Sequence, residues 1–303
     1  MIDPITLIEL TNLKASGQLE TLAAHPQLAI KPEWMDELAQ NKDSWVRRRL
    51  AENPALDTSD DVLASLLKDK DYNVRLNLAE NPALVNSCAM IERCAKDRSA
   101  LVRQTIAKNP SLSSIPGVSE SLASDRSLYV RLNLAANLAA IRGSAKAANA
   151  LCDDKAVRIR RSLAQNPAIA NQPGVVAKLS TDKDPEVRLN LAYNPAIAYN
   201  PVILETLAAD EDSSVRQAVA SNPAIADCPD VIKELSEDED SSVRFWLADN
   251  PAMVNLPEIA DRLSKDESSA VRYALANNPA IPACTANAQP WQTQPTTQKA
   301  PSI

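Results

Sequence analysis

The sequence predicts an all-α fold, a solenoid of about ten 28-residue repeats with two short helices in each. Two observations predict it. A Val-Arg pair, Ile-Arg in one copy, recurs nine times, and every spacing is 28 residues except one of 29. An alanine lies five residues after this valine and an asparagine seven residues after it in all nine copies. A chain built in this way buries its apolar side chains against neighbouring repeats instead of in one closed core.

The composition favours short, closely packed helices. The chain has one Phe and four Gly but 21 Pro, so aliphatic side chains must fill the core. No apolar run approaches the ~18 residues that a membrane-spanning helix requires, and the start of the chain lacks the features of a secretory signal. The five scattered cysteines favour reduced thiols. We therefore expect a cytoplasmic protein that does not enter a membrane.

The helices of each repeat follow from its capping residues and prolines, counted from the valine as position zero. The first helix begins near position −3, where eight of nine copies have Asp or Ser, residues that cap helix N-termini. It ends before the proline at +8, because the residue before a proline avoids the α region. The second helix begins at a proline at +14 and ends before an aspartate at +23. Its apolar residues at +16, +17 and +20, such as Val231, Ile232 and Leu235, form one buried stripe.

One repeat domain is predicted over residues 1–282. It consists of an N-terminal half-repeat (3–17), a degenerate repeat (18–45) with His25 in place of the asparagine, and nine Val-Arg repeats (46–282). Residues 283–303 are rich in Pro, Thr and Gln and have no periodicity, so we expect a disordered tail.

The repeat pattern Asp-x4-Val-Arg-x2-Leu-Ala-x-Asn-Pro-Ala-Ile resembles the leucine-rich-repeat variant (LRV) family, a relative of the HEAT-like α-solenoids. The asparagine–proline pairs that begin at Asn81, Asn194 and Asn250 are its most specific feature. The resemblance covers residues 4 to about 282 and implies a right-handed superhelix, with a second helix that can be partly 3₁₀. One member of the family has a cysteine cluster for an iron–sulfur centre. This sequence has no such cluster, so no cofactor is implied.

Two charged rows run through the repeats, arginine at +1 and aspartate at +23. We predict a structural ladder in which each arginine bonds an aspartate of its own or the adjacent repeat, together with buried loop carbonyls. The ladder residues are Arg75, Arg103, Arg131, Arg188, Arg216, Arg244, Asp69, Asp97, Asp125, Asp182, Asp210 and Asp238. The alternative is that the arginines follow a phosphate backbone.

A partner surface is predicted on the first helices. At 100° per residue, positions +2, +3 and +6 point away from the stack, and in HEAT-like superhelices this helix lines the concave side. The only Phe, one of four Trp and two of five Tyr lie in these positions, mostly in the last repeats. The predicted partner-binding residues are Arg48, Arg49, Arg161, Tyr193, Phe245, Trp246, Asp249 and Tyr273. The alternative is that the aromatic residues cap the end of the stack.

The charge distribution argues against nucleic acid as the partner. Residues 205–269 carry 5 Lys and Arg against 16 Asp and Glu, and this acidic segment would repel nucleic acid. Residues 42–161 carry 20 against 14 and could attract it. A nucleic-acid-binding protein with the architecture of a HEAT-like DNA glycosylase is therefore the first alternative.

The sequence contains no residue pattern that is typical of a catalytic or metal site. His25 is the only histidine, and Cys88 and Cys94 are too far apart for the close cysteine pairs of zinc or cluster sites. We expect no enzymatic activity, no metal and no cofactor, and predict a scaffold that binds a protein or peptide on its concave face. The second alternative is a HEAT-like lyase or chaperone subunit for a cofactor that uses the aromatic row. The last repeat lacks its second helix, which predicts self-association through the C-terminal end.

Overall fold

The fold is that of an all-α repeat protein, as seen in a computed structural model of the chain. The structure describes residues 4–56, 60–84, 87–198 and 200–281. Within these ranges it contains 21 α-helices and seven 3₁₀ helices but no β-strand. The chain divides into two compact units, Met1–Val175 and Val176–Ile303, which we call the N-terminal and C-terminal units. The predicted domain bounds and superhelix handedness stay predictions, and the predicted tail lies outside the described residues.

The N-terminal unit contains the half-repeat, the degenerate repeat and the first regular repeats. Its α-helices are α1 (Pro4–Ala15), α2 (Leu19–Ala23), α3 (Pro32–Ala39), α4 (Ser44–Glu52), α5 (Asp60–Leu67), α6 (Tyr72–Glu80), α7 (Cys88–Cys94), α8 (Ala100–Ala107), α9 (Pro116–Ala123), α10 (Leu128–Ala136), α11 (Leu138–Gly143), α12 (Ala145–Cys152) and α13 (Val157–Ala164). Its 3₁₀ helices span Leu28–Ile30, Pro82–Leu84, Pro110–Ser114 and Pro167–Asn171.

The C-terminal unit repeats the same order of elements. The division between the units falls inside α14 (Pro173–Ser180), and the following α-helices are α15 (Pro185–Ala192), α16 (Pro201–Ala208), α17 (Ser213–Ser221), α18 (Pro229–Ser236), α19 (Ser241–Asp249), α20 (Pro257–Ser264) and α21 (Ser269–Asn277). Its 3₁₀ helices span Pro195–Ile197, Pro223–Asp227 and Pro251–Asn255.

Each unit consists of two helix layers, because like helices of successive repeats pack on one another. In the N-terminal unit the first helices α4, α6, α8, α10 and α13 contact in sequence, and in the C-terminal unit so do α15, α17, α19 and α21. The second helices α16, α18 and α20 form the other layer of the C-terminal unit. The core lies between the layers and is aliphatic, as the composition predicts: Val102, Ile106 and Ala107 of α8 are buried, as are Val231 and Ile232 of α18. The predicted all-α solenoid is thus confirmed.

A 3₁₀ helix separates the two α-helices in most repeats, and it begins at the proline of the asparagine–proline pair. In the repeat of Asn222, the Asn222 side chain accepts a hydrogen bond from the Ala224 N–H at 2.9 Å and caps Pro223–Asp227. Cys228 then has φ −124° and ψ 72°, outside the α region, because Pro229 follows it. The second helix after this break is an α-helix. The 3₁₀ content that the resemblance implied for the second helix therefore lies in a separate element before it.

The repeat around residues 137–152 departs from this pattern because it lacks both prolines. Asn137 accepts hydrogen bonds from the Ala139 and Ala140 N–H groups and begins the α-helix α11 where other repeats have a 3₁₀ helix. Gly143 ends α11 against the preceding repeat, where a Cβ atom would lie 2.6 Å from the Cα atom of Ser113. Glycine is required at this position because two backbones approach each other closely there.

Candidate functional site

The arginine row forms a ladder of bidentate ion pairs with the aspartate row. In each described pair the arginine Nε donates to one carboxylate oxygen at 2.5–2.7 Å and Nη2 donates to the other at 2.9–3.3 Å. The pairs are Arg47–Asp69, Arg75–Asp97, Arg103–Asp125 and Arg131–Asp154 in the N-terminal unit, and Arg188–Asp210, Arg216–Asp238 and Arg244–Asp266 in the C-terminal unit. Each arginine therefore pairs with the aspartate at the end of its own repeat.

Each ladder arginine also reaches back to the preceding repeat. Nη1 of Arg103 donates to the backbone carbonyl of Asp97 at 2.7 Å, and Nη1 of Arg75 donates to the carbonyl of Asp69 at 2.5 Å. In the C-terminal unit, Asp182 has the same role, since its carbonyl accepts from Nη1 of Arg188 at 2.7 Å. One guanidinium thus holds the loops of two consecutive repeats together through a carbonyl on one side and a carboxylate on the other.

Three of the ladder carboxylates, those of Asp97, Asp125 and Asp266, are held in the ionised state. Burial alone would raise the pKa of Asp97, but hydrogen bonds from Arg75 and from the Ser99 N–H keep that pKa below its usual value. The pKa values of Asp125 and Asp266 are lowered in the same way by their own arginine and backbone donors. Outside the ladder, donors from Asn73 and Arg48 outweigh burial and lower the pKa of Asp71 to about 2.

Acid is expected to unfold the protein between about pH 4 and pH 2. A carboxyl group whose pKa is lower in the folded than in the unfolded chain stabilises the fold fully above its unfolded pKa, which is about 4. This stabilisation is lost as the pH falls through the folded-state pKa, which for Asp71 is about 2. The far-UV circular dichroism signal should stay constant from pH 7 to about pH 4 and decrease below it. A transition complete above pH 5 would contradict this prediction.

The asparagines at position +7 form a second ladder between consecutive repeats. The side-chain amide of Asn250 donates to the backbone carbonyls of Ala220 at 2.8 Å and Asn222 at 3.1 Å, both in the preceding repeat. Its side-chain oxygen accepts from the Ala252 N–H at 2.9 Å. His25, in the asparagine position of the degenerate repeat, keeps only the last of these roles, because its Nδ1 accepts from the Gln27 N–H at 3.2 Å.

In the C-terminal unit, the predicted partner-binding residues lie on the surface of the first helices. Trp246 on α19 and Tyr273 on α21 are 42% and 57% exposed, and Phe245 is partly exposed. The rings of Phe245 and Trp246 meet edge to face with centroids 5.5 Å apart. Asp249 is exposed at the end of α19, and Tyr193, directly after α15, is 60% exposed.

In the N-terminal unit, the predicted arginines are engaged with neighbouring carboxylates to different degrees. Arg48 donates to Asp71 at 2.6 Å and 3.0 Å and lies over the ring of Trp45, 4.9 Å from its centroid. Arg49 is exposed and pairs with Glu52 on the same helix at 2.8 Å. Arg161 on α13 is partly exposed.

One exposed row was missed by the helical-wheel argument. Trp45, Leu101 and Tyr129, all at position −1, are 57%, 47% and 58% exposed, and Tyr72 at −2 is 44% exposed. Position −1 lies one turn before +2 and +3, on the same face of the first helix. The sequence contained the information needed to find this row. Large apolar residues in the first turn of a helix, on its polar face, cannot pack into the core and must therefore be exposed.

The remaining candidates for chemistry are isolated. Burial raises the pKa of the Cys94 thiol to about 12, so this cysteine is a core residue and not a nucleophile. Among the residues that the structure describes, no group of three His, Cys, Asp or Glu side chains comes together as a metal ion would need. Within the same ranges, every helix is too short or too polar to cross a membrane.

These features define an α-solenoid whose repeats are joined by an arginine–aspartate ladder and an asparagine ladder. Its fold is similar to that of a solved leucine-rich repeat variant, described as having a novel repetitive protein structural motif. The TM-score is 0.51 at 20% identity, and the match covers 79% of this chain and 88% of that chain. The resemblance to the LRV and HEAT-like solenoids is thereby confirmed for the fold.

Two further solved structures are similar over most of their length but at lower scores. They are the Escherichia coli protein YibA (TM-score 0.39, 16% identity, 78% of this chain and 96% of that chain) and computationally designed armadillo repeat proteins for modular peptide recognition (TM-score 0.18, 17% identity, 89% and 95%). At these scores neither adds to the fold assignment. No family model and no curated protein matches the sequence.

Proposed function

We propose that this chain is a non-enzymatic cytoplasmic scaffold that binds a protein or peptide through the exposed face of its first helices. The observation that carries the proposal is the aromatic group of Phe245, Trp246 and Tyr273 on the adjacent helices α19 and α21. The equivalent +2 position is glutamine in the repeat of Gln217, so the fold does not require an aromatic residue there. Exposed, clustered aromatic side chains are typical of interface anchors.

The state of the ladder arginines supports a protein partner over nucleic acid. Arg75, Arg103 and Arg216 are buried, and each has its donors directed at a carboxylate and a backbone carbonyl. A phosphate would have to displace these bonds, which are charge-assisted and bidentate. The arginine row at position +1 therefore stabilises the fold. The exposed aromatic residues are then the better candidate for a binding surface.

The proposal is tested by selecting peptides on the full chain and measuring their binding to substituted proteins. Peptides enriched from a displayed library should lose roughly tenfold or more in affinity when Phe245, Trp246 and Tyr273 are all replaced by Ala, since buried aromatic anchors carry much of the binding energy of an interface. Far-UV circular dichroism should be nearly unchanged. The matched control replaces exposed residues of the second helices of the same unit, Val202, Glu205 and Lys233, by Ala and should bind normally.

Three outcomes would count against the proposal. A loss of helical signal in the aromatic variant would support the alternative that these residues cap the end of the stack. Equal binding by the aromatic and control variants would remove this surface from the site. A selection that enriches no peptide would contradict the scaffold function itself. Self-association through the C-terminal end stays a prediction.

A further inference from the structure

The residue just before each first-helix cap is basic in the first six Val-Arg repeats and acidic in the last three. This position, −4, holds Lys42, Lys70, Arg98, Arg126 and Lys155 in the N-terminal unit, and we call the first four, which precede a large exposed apolar side chain, the basic edge. In the C-terminal unit it holds Lys183 and then Glu211, Glu239 and Glu267. All four basic-edge residues are exposed. The basic edge and the last three repeats of the C-terminal unit therefore present opposite charges at the same place in the repeat.

The fold does not dictate this sign. In the C-terminal unit the carboxylates of Glu211, Glu239 and Glu267 lie 3.3–3.8 Å from Nη2 of a ladder arginine and partly offset its charge. In the N-terminal unit the same ladder forms with lysine or arginine at this position of the repeat. Because both signs accommodate the same ion pairs, a structural role does not explain why the first six Val-Arg repeats carry a cation.

Within the residues that the structure describes, the charges of the basic edge are not held in direct ion pairs with carboxylates, although Arg98 and Arg126 lie close enough to Asp97 and Asp125 to interact electrostatically with them. Lys42, Lys70 and Arg126 form no salt bridge with any residue in the described part of the chain. Arg98 donates from Nη2 to the backbone carbonyl of Lys70 at 2.9 Å, which places its guanidinium beside the preceding member of the row. A row of neighbouring cations that form no direct ion pair with a carboxylate among the described residues attracts an acidic ligand.

An apolar row runs beside the basic edge, within three residues of it in each of these four repeats. It consists of Trp45, Tyr72, Leu101 and Tyr129, and these side chains are 44–58% exposed. At position −1 the C-terminal unit has Glu186, Ser214, Ser242 and Ala270 instead. The apolar row and the basic edge therefore occur together in four consecutive repeats, whereas the three repeats with glutamate at −4 have neither.

We propose that the basic edge and the apolar row bind an acidic peptide segment that carries apolar side chains. This inference rests on the proposed scaffold function and names the chemistry of one partner. The cations would pair with the carboxylates of the peptide, and its apolar side chains would contact Trp45, Tyr72, Leu101 and Tyr129. Each of the four repeats would then bind one acidic and one apolar side chain of the peptide.

A peptide fits this surface better than a nucleic acid does. The carboxylates of Asp43 and Asp71 cap helices on the same edge, and they would repel a phosphate backbone, which is charged at every nucleotide, more than a peptide whose acidic residues alternate with apolar ones. Leu101 lies between the aromatic members of the apolar row and offers no ring on which a base could stack. Residues 1–175 carry 22 Lys and Arg against 20 Asp and Glu, so the unit has little of the net positive charge that phosphate binding requires.

The test measures fluorescence anisotropy of labelled probes with the full chain. The first probe is a peptide that repeats Glu-Leu-Asp-Phe four times, the second has Lys in place of every acid, and the third is oligothymidylate. The acidic peptide should bind, and the variant K42E/K70E/R126E should bind it roughly tenfold or more weakly, because each lost and reversed charge contact removes attraction. This variant should fold, since glutamate occupies the same position in three native repeats.

The control variant K68E/R93E/K146E makes the same change in net charge on or directly after second helices of the same unit and should bind normally. A second variant, W45A/Y129A, should also lose affinity without a change in circular dichroism. Equal loss in the control variant, or binding of oligothymidylate in place of the acidic peptide, would overturn the inference. If library-selected peptides bind the chain and the acidic probe does not, the inference fails while the scaffold function stands. If neither binds, both fail.

Discussion

Replacing Arg103 by Met is expected to lower the free energy of unfolding by about 3–5 kcal/mol, the cost of removing one partner of a buried ion pair. The Arg103 side chain is buried and bonds both carboxylate oxygens of Asp125, at 2.6 Å and 3.0 Å. Methionine fills much of the same volume but leaves that carboxylate without its counterion. It also leaves the backbone carbonyl of Asp97 without its donor, a further loss of a hydrogen bond between repeats.

Urea denaturation followed by circular dichroism measures this effect, with Arg49→Met as the control. Arg49 is exposed and pairs only with Glu52 on its own helix, a kind of surface pair worth less than about 1 kcal/mol. The midpoint of the R103M protein should be clearly lower than that of the wild type, whereas the R49M midpoint should be nearly unchanged. Similar midpoints for both variants would show that the ladder does not stabilise the fold.

Replacing Asn250 by Ala is expected to lower the free energy of unfolding by about 2–4 kcal/mol. Asn250 is 2% exposed, and alanine removes all three of its side-chain hydrogen bonds. Two of these satisfy backbone carbonyls of the preceding repeat, and the third caps the 3₁₀ helix Pro251–Asn255. No water can replace them without entering the packed boundary between repeats.

Asn277→Ala is the matched control for this substitution. Asn277 precedes the buried ladder residue Asn278 by one position, but it is exposed and its amide bonds only the Tyr273 carbonyl of its own helix. Thermal denaturation should therefore show a large decrease in the midpoint for N250A and almost none for N277A. Equal midpoints would mean that water satisfies the carbonyls that Asn250 bonds.

The repeat frame predicted the helices well because its signals are local. Asp at −3 and Pro at +14 mark helix starts through their own backbone chemistry, and α17 and α18 begin directly after Asp212 and at Pro229 as the pattern indicates. The separate 3₁₀ helix was not predicted. Its hydrogen bonds differ from those of an α-helix by one residue, and five residues between two prolines are too few to show a helical period.

The site was predicted less completely than the fold. The sequence could not tell whether an arginine pairs with the aspartate of its own or of the preceding repeat, since both are close in a stack. In the structure both aspartates bond Arg103. Asp125 of the same repeat contributes its carboxylate, and Asp97 of the preceding repeat contributes its backbone carbonyl. The basic edge lies before the helix begins, where helical periodicity gives no direction, so only the packed repeats show that its members form a row.

The most direct test of the account is hydrogen exchange, read by mass spectrometry, in the R103M protein. The central claim is that each repeat is held by bonds to its neighbours in a stack, through guanidinium and amide groups that join consecutive loops. We predict that amides in the repeats on both sides of Arg103, in α6 and α10 as well as α8, lose protection together. Loss of protection confined to α8 would contradict the claim, because it would show that repeats fold and open independently.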